Sequence, residues 1–231
     1  VRLKNEPLQP NRISQVTVGN NGFVELVDVM GNDLSVVNAA RVSMGKRKTV
    51  FEPEDEKLIY YLARHGHTSP FRHAFLSFHV KCPLFVKGQF DKHQVGISIN
   101  TISGRYVQTA DDWYIPEFFR GTAANVKQGS TAEPVSNNEN LLALYDNHYE
   151  LSLKLYHGMI SQGVCREQAR TVLPQGMNTE FYMSGSLQAF VHFIKLRTDS
   201  HAQREIQDYG FAFKTLVEQS FPISTKSLLE L

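Results

Sequence analysis

Cysteine is scarce in this chain: Cys82 and Cys165 are its only two, far apart and without metal-ligand spacing. A disulfide framework and a zinc ribbon are both excluded, and a reducing, cytoplasmic setting is expected. Long apolar runs are missing too. No stretch approaches the roughly 20 residues needed to cross a bilayer, and Val1 to Asn21 is polar, with Pro7 and Pro10, unlike a secretory signal. Charge of one sign is also lacking, since 24 basic and 23 acidic residues leave a formal net charge of +1. There is therefore no bulk field to capture nucleic acid, and any bound anion must be held by local groups. Internal repeats, a glycine-rich dinucleotide fingerprint and regular βαβ alternation are absent as well, which disfavours a doubly wound fold. What is present is a chain of 231 residues, 42% hydrophobic, long enough to bury one large core. A soluble α+β protein follows from this, with no membrane or nucleic-acid partner.

The local pattern supplies the elements. Phe23 to Met30 is rich in β-branched residues and reads as a strand, turned by Gly31-Asn32, with Asp33 as N-cap of a helix through Ala40. Lys46, Arg47 and Lys48 read as a solvated loop. Pro53 followed by three acidic residues suits a first helical turn, and Gly66 ends that helix. Leu76, Phe78 and Val80 alternate with Ser77 and His79, the mark of a half-buried strand, and Pro83 opens a helix to about Gln94. Phe118 to Asn140 is poor in large apolar residues and reads as a mobile surface loop. Leu141, Leu144, Tyr145, His148, Leu151, Ser152, Leu155 and Met159 recur at helical spacing, predicting an amphipathic helix stopped near Gly163. A short helix over 166–173, a strand over 179–183 and helices capped by Ser186 and Ser200 complete the chain.

Three polar clusters interrupt these patterns, and such departures are where function is expected. His67-Thr-Ser-Pro-Phe-Arg-His73 has histidines but no HExxH pair or acidic partner, so no metal is assigned to it. Gln89 to Tyr106 holds a helix end followed by a Ser-Gly-Arg turn, able to offer amides and a guanidinium to a phosphate. Lys195 to Ile206 places Arg197 and His201 four apart. A purely structural ion network with Asp199 and Glu205 is the alternative there. Arg170 is a further anion ligand or an ordinary surface arginine.

Six ordered segments carry a resemblance. Phe23-Val-Glu-Leu-Val-Asp-Val-Met-Gly-Asn-Asp-Leu34, Ala40-Arg-Val-Ser43, His65-Gly-His67, Ser103-Gly-Arg-Tyr106, Ala169-Arg170 with Val172-Leu-Pro174, and Leu196-Arg-Thr-Asp-Ser-His-Ala-Gln203 together resemble the flavin-dependent thymidylate synthases. The resemblance runs from about Gly22 to the C-terminus, so 1–21 is expected as an extension and 22–231 as the domain.

It implies a single-domain α+β fold with a mixed sheet and long helices, a homotetramer, and sites shared between subunits around FAD. It also implies reductive methylation of dUMP to dTMP, with methylenetetrahydrofolate as carbon donor, reduced FAD as hydride source and NADPH as reductant. Arg197 matches the residue that stabilises charge on the uracil ring, a task for a fixed guanidinium. The residues it implies for dUMP are Gln89, Lys92, Thr101, Ile102, Ser103, Gly104, Arg105, Arg170 and Arg197. Those for FAD are Ser69, Lys92, His93, Gln94, Asn100, Thr101, Ser186, Gln188, His192 and His201. Ser103 is assigned to binding, since no neighbouring base would activate it.

The chain also departs from that family's pattern. Lys92-His93-Gln94 stands for the usual Arg-His-Arg, removing two bidentate forks, so weaker flavin binding is expected. The eight residues from Val95 to Ile102 are one more than usual, and Thr101 replaces a common glutamate. Two rival classes remain open: a non-catalytic nucleotide-binding homologue with a drifted flavin motif, and a metal-dependent nucleotide hydrolase using His65, His67 and His73.

Overall fold

The computed structural model describes residues 13–107, 111–123 and 129–231. Most of the first 21 residues, 1–12, therefore lie outside the described part.

Strands β1 (Gln15–Val18), β2 (Gly22–Met30), β3 (Phe75–Pro83), β4 (Ile97–Thr101) and β7 (Asn178–Ser186) form one sheet in the order β1-β2-β3-β7-β4. Gln15–Val18, within the first 21 residues, is its edge strand. Every pair in this sheet is antiparallel, which corrects the expectation of a mixed sheet. The helical excursion between β2 and β3 brings the chain back reversed, so no parallel crossover arises.

Alternation decides which face is which. Leu76, Phe78 and Val80 of β3 and Phe181 and Met183 of β7 are buried on one face, with Val24 and Leu26 of β2. Against that face lie α6 (Leu187–Arg197) and α7 (Arg204–Ser220), with α8 (Pro222–Leu229) packed on both and α1 (Asp33–Arg41) and α2 (Pro53–Arg64) packed on α8. Phe78, Phe90, Phe190, Phe193 and Phe213 meet there at ring-centroid distances of 4.6 to 6.0 Å, aromatic packing that adds to area burial. The opposite face is polar: Ser77 Oγ and Ser184 Oγ lie 2.7 Å apart, and His79 sits between Glu25 and Glu180.

Several local expectations are revised. Asn32, not Asp33, caps α1, in a capping box with Ser35. Asp33 instead turns inward and accepts the backbone N–H groups of Ile223 (3.0 Å) and Ser224 (2.9 Å) at the start of α8. Helix α3 (Leu84–Phe90) stops short of Gln94 because the chain turns to bury the His93 ring against Phe193. Within 118–140 the described residues form a hairpin of β5 (Arg120–Thr122) and β6 (Ser130–Pro134) rather than a plain loop; 124–128 lie outside the described residues. Ser200 does not start α7, because Asp199 captures the His201 N–H at 2.8 Å and delays the helix to Arg204.

Helix α4 (Asn138–Ser161) corrects the expected stripe. It buries Tyr149, Ser152 and Tyr156, while Leu144, Leu151 and Leu155 are each more than half exposed on the other side. Tyrosine hydroxyls that reach partners, such as Tyr149 Oη accepting the Gly176 N–H at 3.0 Å, favour the inward face for the aromatic side. Helix α5 (Arg166–Ala169) and a 3₁₀ turn (Arg170–Val172) then lead into β7. Among the described residues no helix is long and apolar enough to cross a membrane.

Candidate functional site

The site is built where the end of α3 meets the end of α6. Gly210 lets α7 approach the end of α6, because a Cβ there would come within 3.0 Å of the Arg197 carbonyl carbon. Arg197, the last residue of α6, donates Nε–H to His93 Nε2 at 2.8 Å. Its Nη1 donates to Gln89 Oε1 and its Nη2 to the Gln89 carbonyl, both at 3.3 Å. The guanidinium thus sits over the C-terminal end of α3, where helix carbonyls favour a cation. Among the described residues no carboxylate pairs with it.

His93 must accept through Nε2, so its proton lies on Nδ1 and the ring is neutral. Burial, then the neighbouring Arg197 and His192, push its pKa from 6.5 down to about 4. The ring packs edge-on against Phe193 at 4.8 Å and lies 6.5 Å from His192. Burial also lowers the pKa of Arg197 from its ordinary value. The result is a half-buried cation held by neutral acceptors among the described residues, suited to receive an anion.

The other sequence-derived candidates fall into groups. Ser186 caps α6, its Oγ accepting the Ala189 N–H at 3.3 Å, and its own N–H reaches the Gly96 carbonyl. Two residues on, Gln188 Oε1 is buried with no hydrogen-bond partner among the described residues. Ser69 is exposed at the start of a 3₁₀ turn (Ser69–Arg72) whose Pro70 and Phe71 are buried and which packs against α6. Lys92 and Gln94 are exposed in the turn after α3, and Gln94 Nε2 donates to the Asp91 carbonyl at 3.3 Å. Asn100 and Thr101 are exposed on edge strand β4, opposite Tyr182 and Phe181.

Ile102, Ser103, Gly104 and Arg105 follow β4. The Ser103 carbonyl accepts the Tyr106 and Val107 N–H groups, and its Oγ accepts the Arg105 N–H at 3.3 Å. No general base among the described residues bonds this hydroxyl, which suits binding rather than attack. Arg105 pairs with Glu167 of α5 at 2.5 Å, and Arg170 is exposed with no side-chain partner among the described residues. His201 pairs with Asp199 at 2.9 Å and its side chain is 90% exposed. Within one chain, no hydrogen bond or ion pair among the described residues ties Arg105, Arg170 or His201 to the Arg197 cluster.

Gln203 and Arg120 are site neighbours that the sequence reading does not single out, and Glu205 enters it only as a partner in a structural ion network. Gln203 Oε1 accepts from Gln89 Nε2 at 2.7 Å, and Gln203 Nε2 donates to Glu205 Oε2 at 2.8 Å. Glu205 forms its ion pair with Arg120 of β5, not with Arg197. Gln203 lies inside the quoted Leu196–Gln203 motif; no local signal marks Arg120.

These residues fit a flavin. The unpartnered Gln188 amide oxygen can accept a ring N–H, and the exposed Lys92 ammonium is available to a diphosphate. Among the described residues no group of three or more His, Cys, Asp or Glu side chains is placed to hold a metal ion.

Comparison with known proteins identifies the family. The family described as "Thymidylate synthase complementing protein" matches residues 25–223. The flavin-dependent thymidylate synthase of Kosmotoga olearia is 41% identical over 216 residues, covering 93% of each chain. That of Thermus thermophilus is 43% identical over 210 residues, 90% of this chain and 76% of its own. Among solved structures, the UMP/dUMP methylase PolB from Streptomyces cacaoi, bound with 5-Br dUMP, superposes with a TM-score of 0.83 at 27% identity, covering 94% of this chain and 98% of that one. With the family model and these relatives in agreement, this chain belongs to the thymidylate synthase complementing protein family, alongside the flavin-dependent thymidylate synthases.

Proposed function

We propose that this chain is a flavin-dependent thymidylate synthase that methylates C5 of dUMP to give dTMP. The observation that carries the reading is Arg197: a half-buried guanidinium with no carboxylate partner among the described residues, oriented by His93 and Gln89. Set beside N3 and O2 of uracil, it stabilises negative charge on the ring and so raises the nucleophilicity of C5. His93 holds Nε, so the guanidinium plane cannot rotate, and Gln89 restrains Nη1. The turn amides at Ser103–Arg105, with the Arg105 and Arg170 guanidinium groups, suit the nucleotide phosphate. Thr101 and Ile102 lead into that turn, and Lys92 is a further residue proposed for dUMP.

FAD, when bound, supplies the hydride that reduces the transferred one-carbon unit. Ser69, Lys92, His93, Gln94, Asn100, Thr101, Ser186, Gln188, His192 and His201 are the residues proposed to hold it. Methylenetetrahydrofolate is the carbon donor and NADPH the reductant in this reading, and the setting is cytoplasmic. A homotetramer completes the site. Arg105 and Arg170 do not bond the Arg197 cluster within one chain, and Leu144, Leu151 and Leu155 are left exposed on α4. An apolar stripe of this kind is suited to a second copy.

A non-catalytic nucleotide-binding homologue is favoured by one observation only: the Gln94 amide donates to the Asp91 carbonyl where a second arginine fork would serve the diphosphate. The deciding experiment is the visible spectrum of the purified protein with and without added FAD, followed by dUMP titration. Flavin peaks that shift with dUMP support the enzyme; dUMP binding without any flavin retention supports the homologue.

A further inference from the structure

Arg197 and Glu205 are joined through two neutral amides, and every link donates in the same direction. Arg197 Nη1 donates to Gln89 Oε1 (3.3 Å), Gln89 Nε2 to Gln203 Oε1 (2.7 Å), and Gln203 Nε2 to Glu205 Oε2 (2.8 Å). Arg120 Nη2 and Tyr114 Oη close the chain by donating to the other carboxylate oxygen.

A guanidinium only donates and a carboxylate only accepts, whereas a primary amide does one at each end. With a donor fixed at one terminus and an acceptor at the other, only one orientation of the two amides satisfies all three links. Reversing either amide sets N–H against N–H or oxygen against oxygen. We propose that Glu205, acting through Gln203, is a positioning residue that fixes which end of the Gln89 amide faces Arg197. The proposal deepens the reading of Arg197 and Gln89 as dUMP ligands and rests on it.

The arrangement also solves a charge problem. A carboxylate bonded directly to Arg197 would occupy the donors a substrate needs, and no carboxylate at all would leave a half-buried cation uncompensated. Two intervening amides put the countercharge at a remove and keep the guanidinium open to an anion. Glu205 is itself well held: its side chain is 13% exposed and clamped by Arg120 from the β5–β6 hairpin. Tyr114 stays a donor, because burial and then the Glu205 charge push its pKa from 10.0 up to about 12. The hairpin therefore reaches the site through this carboxylate.

The relay can be read in the ligand-free full-length protein from nitrogen-15 spectra of arginine Nε–H groups, with the Arg197 signal assigned by its loss in Arg197→Lys. Gln203→Ala, at an exposed position, and the isosteric Glu205→Gln should each speed exchange of the Arg197 Nε–H about tenfold and weaken dUMP binding about tenfold, the size of one lost hydrogen bond. Melting temperature should barely change in Gln203→Ala. A mere tie between α3 and α7 would move the melting temperature and leave the Arg197 signal alone. Unchanged Arg197 exchange in Gln203→Ala overturns the proposal, even if Glu205→Gln fails to fold. If the wild-type protein binds no dUMP, the functional reading falls, while the exchange data still decide the relay.

Discussion

Arg197 and His93 share a 2.8 Å hydrogen bond in which the guanidinium Nε–H donates to the imidazole Nε2. That one contact sets the tautomer of the histidine and the plane of the arginine where the ends of α3 and α6 meet. Both groups must hold their present protonation states for it to exist.

Removing the cation removes the chemistry. Arg197→Ala should abolish dTMP formation, while circular dichroism and melting temperature stay close to wild type, because no buried carboxylate is left behind. Arg197→Lys should recover little, since an ammonium cannot engage His93, Gln89 and a uracil edge from fixed positions at once. Unchanged turnover in Arg197→Ala would remove the mechanistic assignment.

Acid should loosen the site. The folded-state pKa of His93 is depressed to about 4 from 6.5, so between those values the unfolded chain binds more protons than the folded one. The histidine therefore contributes stability that is complete above about pH 6.5 and is lost as pH falls toward 4, up to about 3 kcal/mol in all. Urea unfolding at stepped pH values, compared with His93→Gln, measures this. In the variant the part of the pH slope owed to His93 should vanish.

Asp33 links the start of the chain to its end. Asp33→Ala should destabilise the fold by about 1–3 kcal/mol, because the Ile223 and Ser224 N–H groups lose their acceptor where water cannot fully replace it. The loss should appear in thermal melts and as faster amide exchange within 222–229. Turnover should change less than stability, since Asp33 takes no part in the Arg197 cluster.

The approach of the 91–96 turn to β7 depends on Gly185. A Cβ at this position would stand 2.6 Å from the Gly96 carbonyl oxygen, so Gly185→Ala must push the turn away at a cost of about 1–3 kcal/mol. The same turn carries Lys92, His93 and Gln94. Flavin retention, followed by the ratio of visible to ultraviolet absorbance, should therefore fall along with the melting temperature. Normal flavin retention in a destabilised protein would separate the turn from the cofactor.

What the sequence determines by itself is local or repeated in order along the chain. Alternation in Leu76, Phe78 and Val80 places β3 and its buried face, Ser186 announces the start of α6, and six ordered motifs select the family that the comparisons show. These signals depend on neighbours two to four residues away, whose chemistry is written side by side. Tertiary structure alone decides the rest. Arg197 finds His93 and Gln89 across 104 and 108 residues, and Asp33 leaves the helix it begins in order to cap one 190 residues later. Glu205 takes Arg120 instead of Arg197, and the α4 leucines face outward while its tyrosines turn in. Each of these is a choice among chemically equivalent partners, and only the packing of the elements, which sets what lies within reach, can make it.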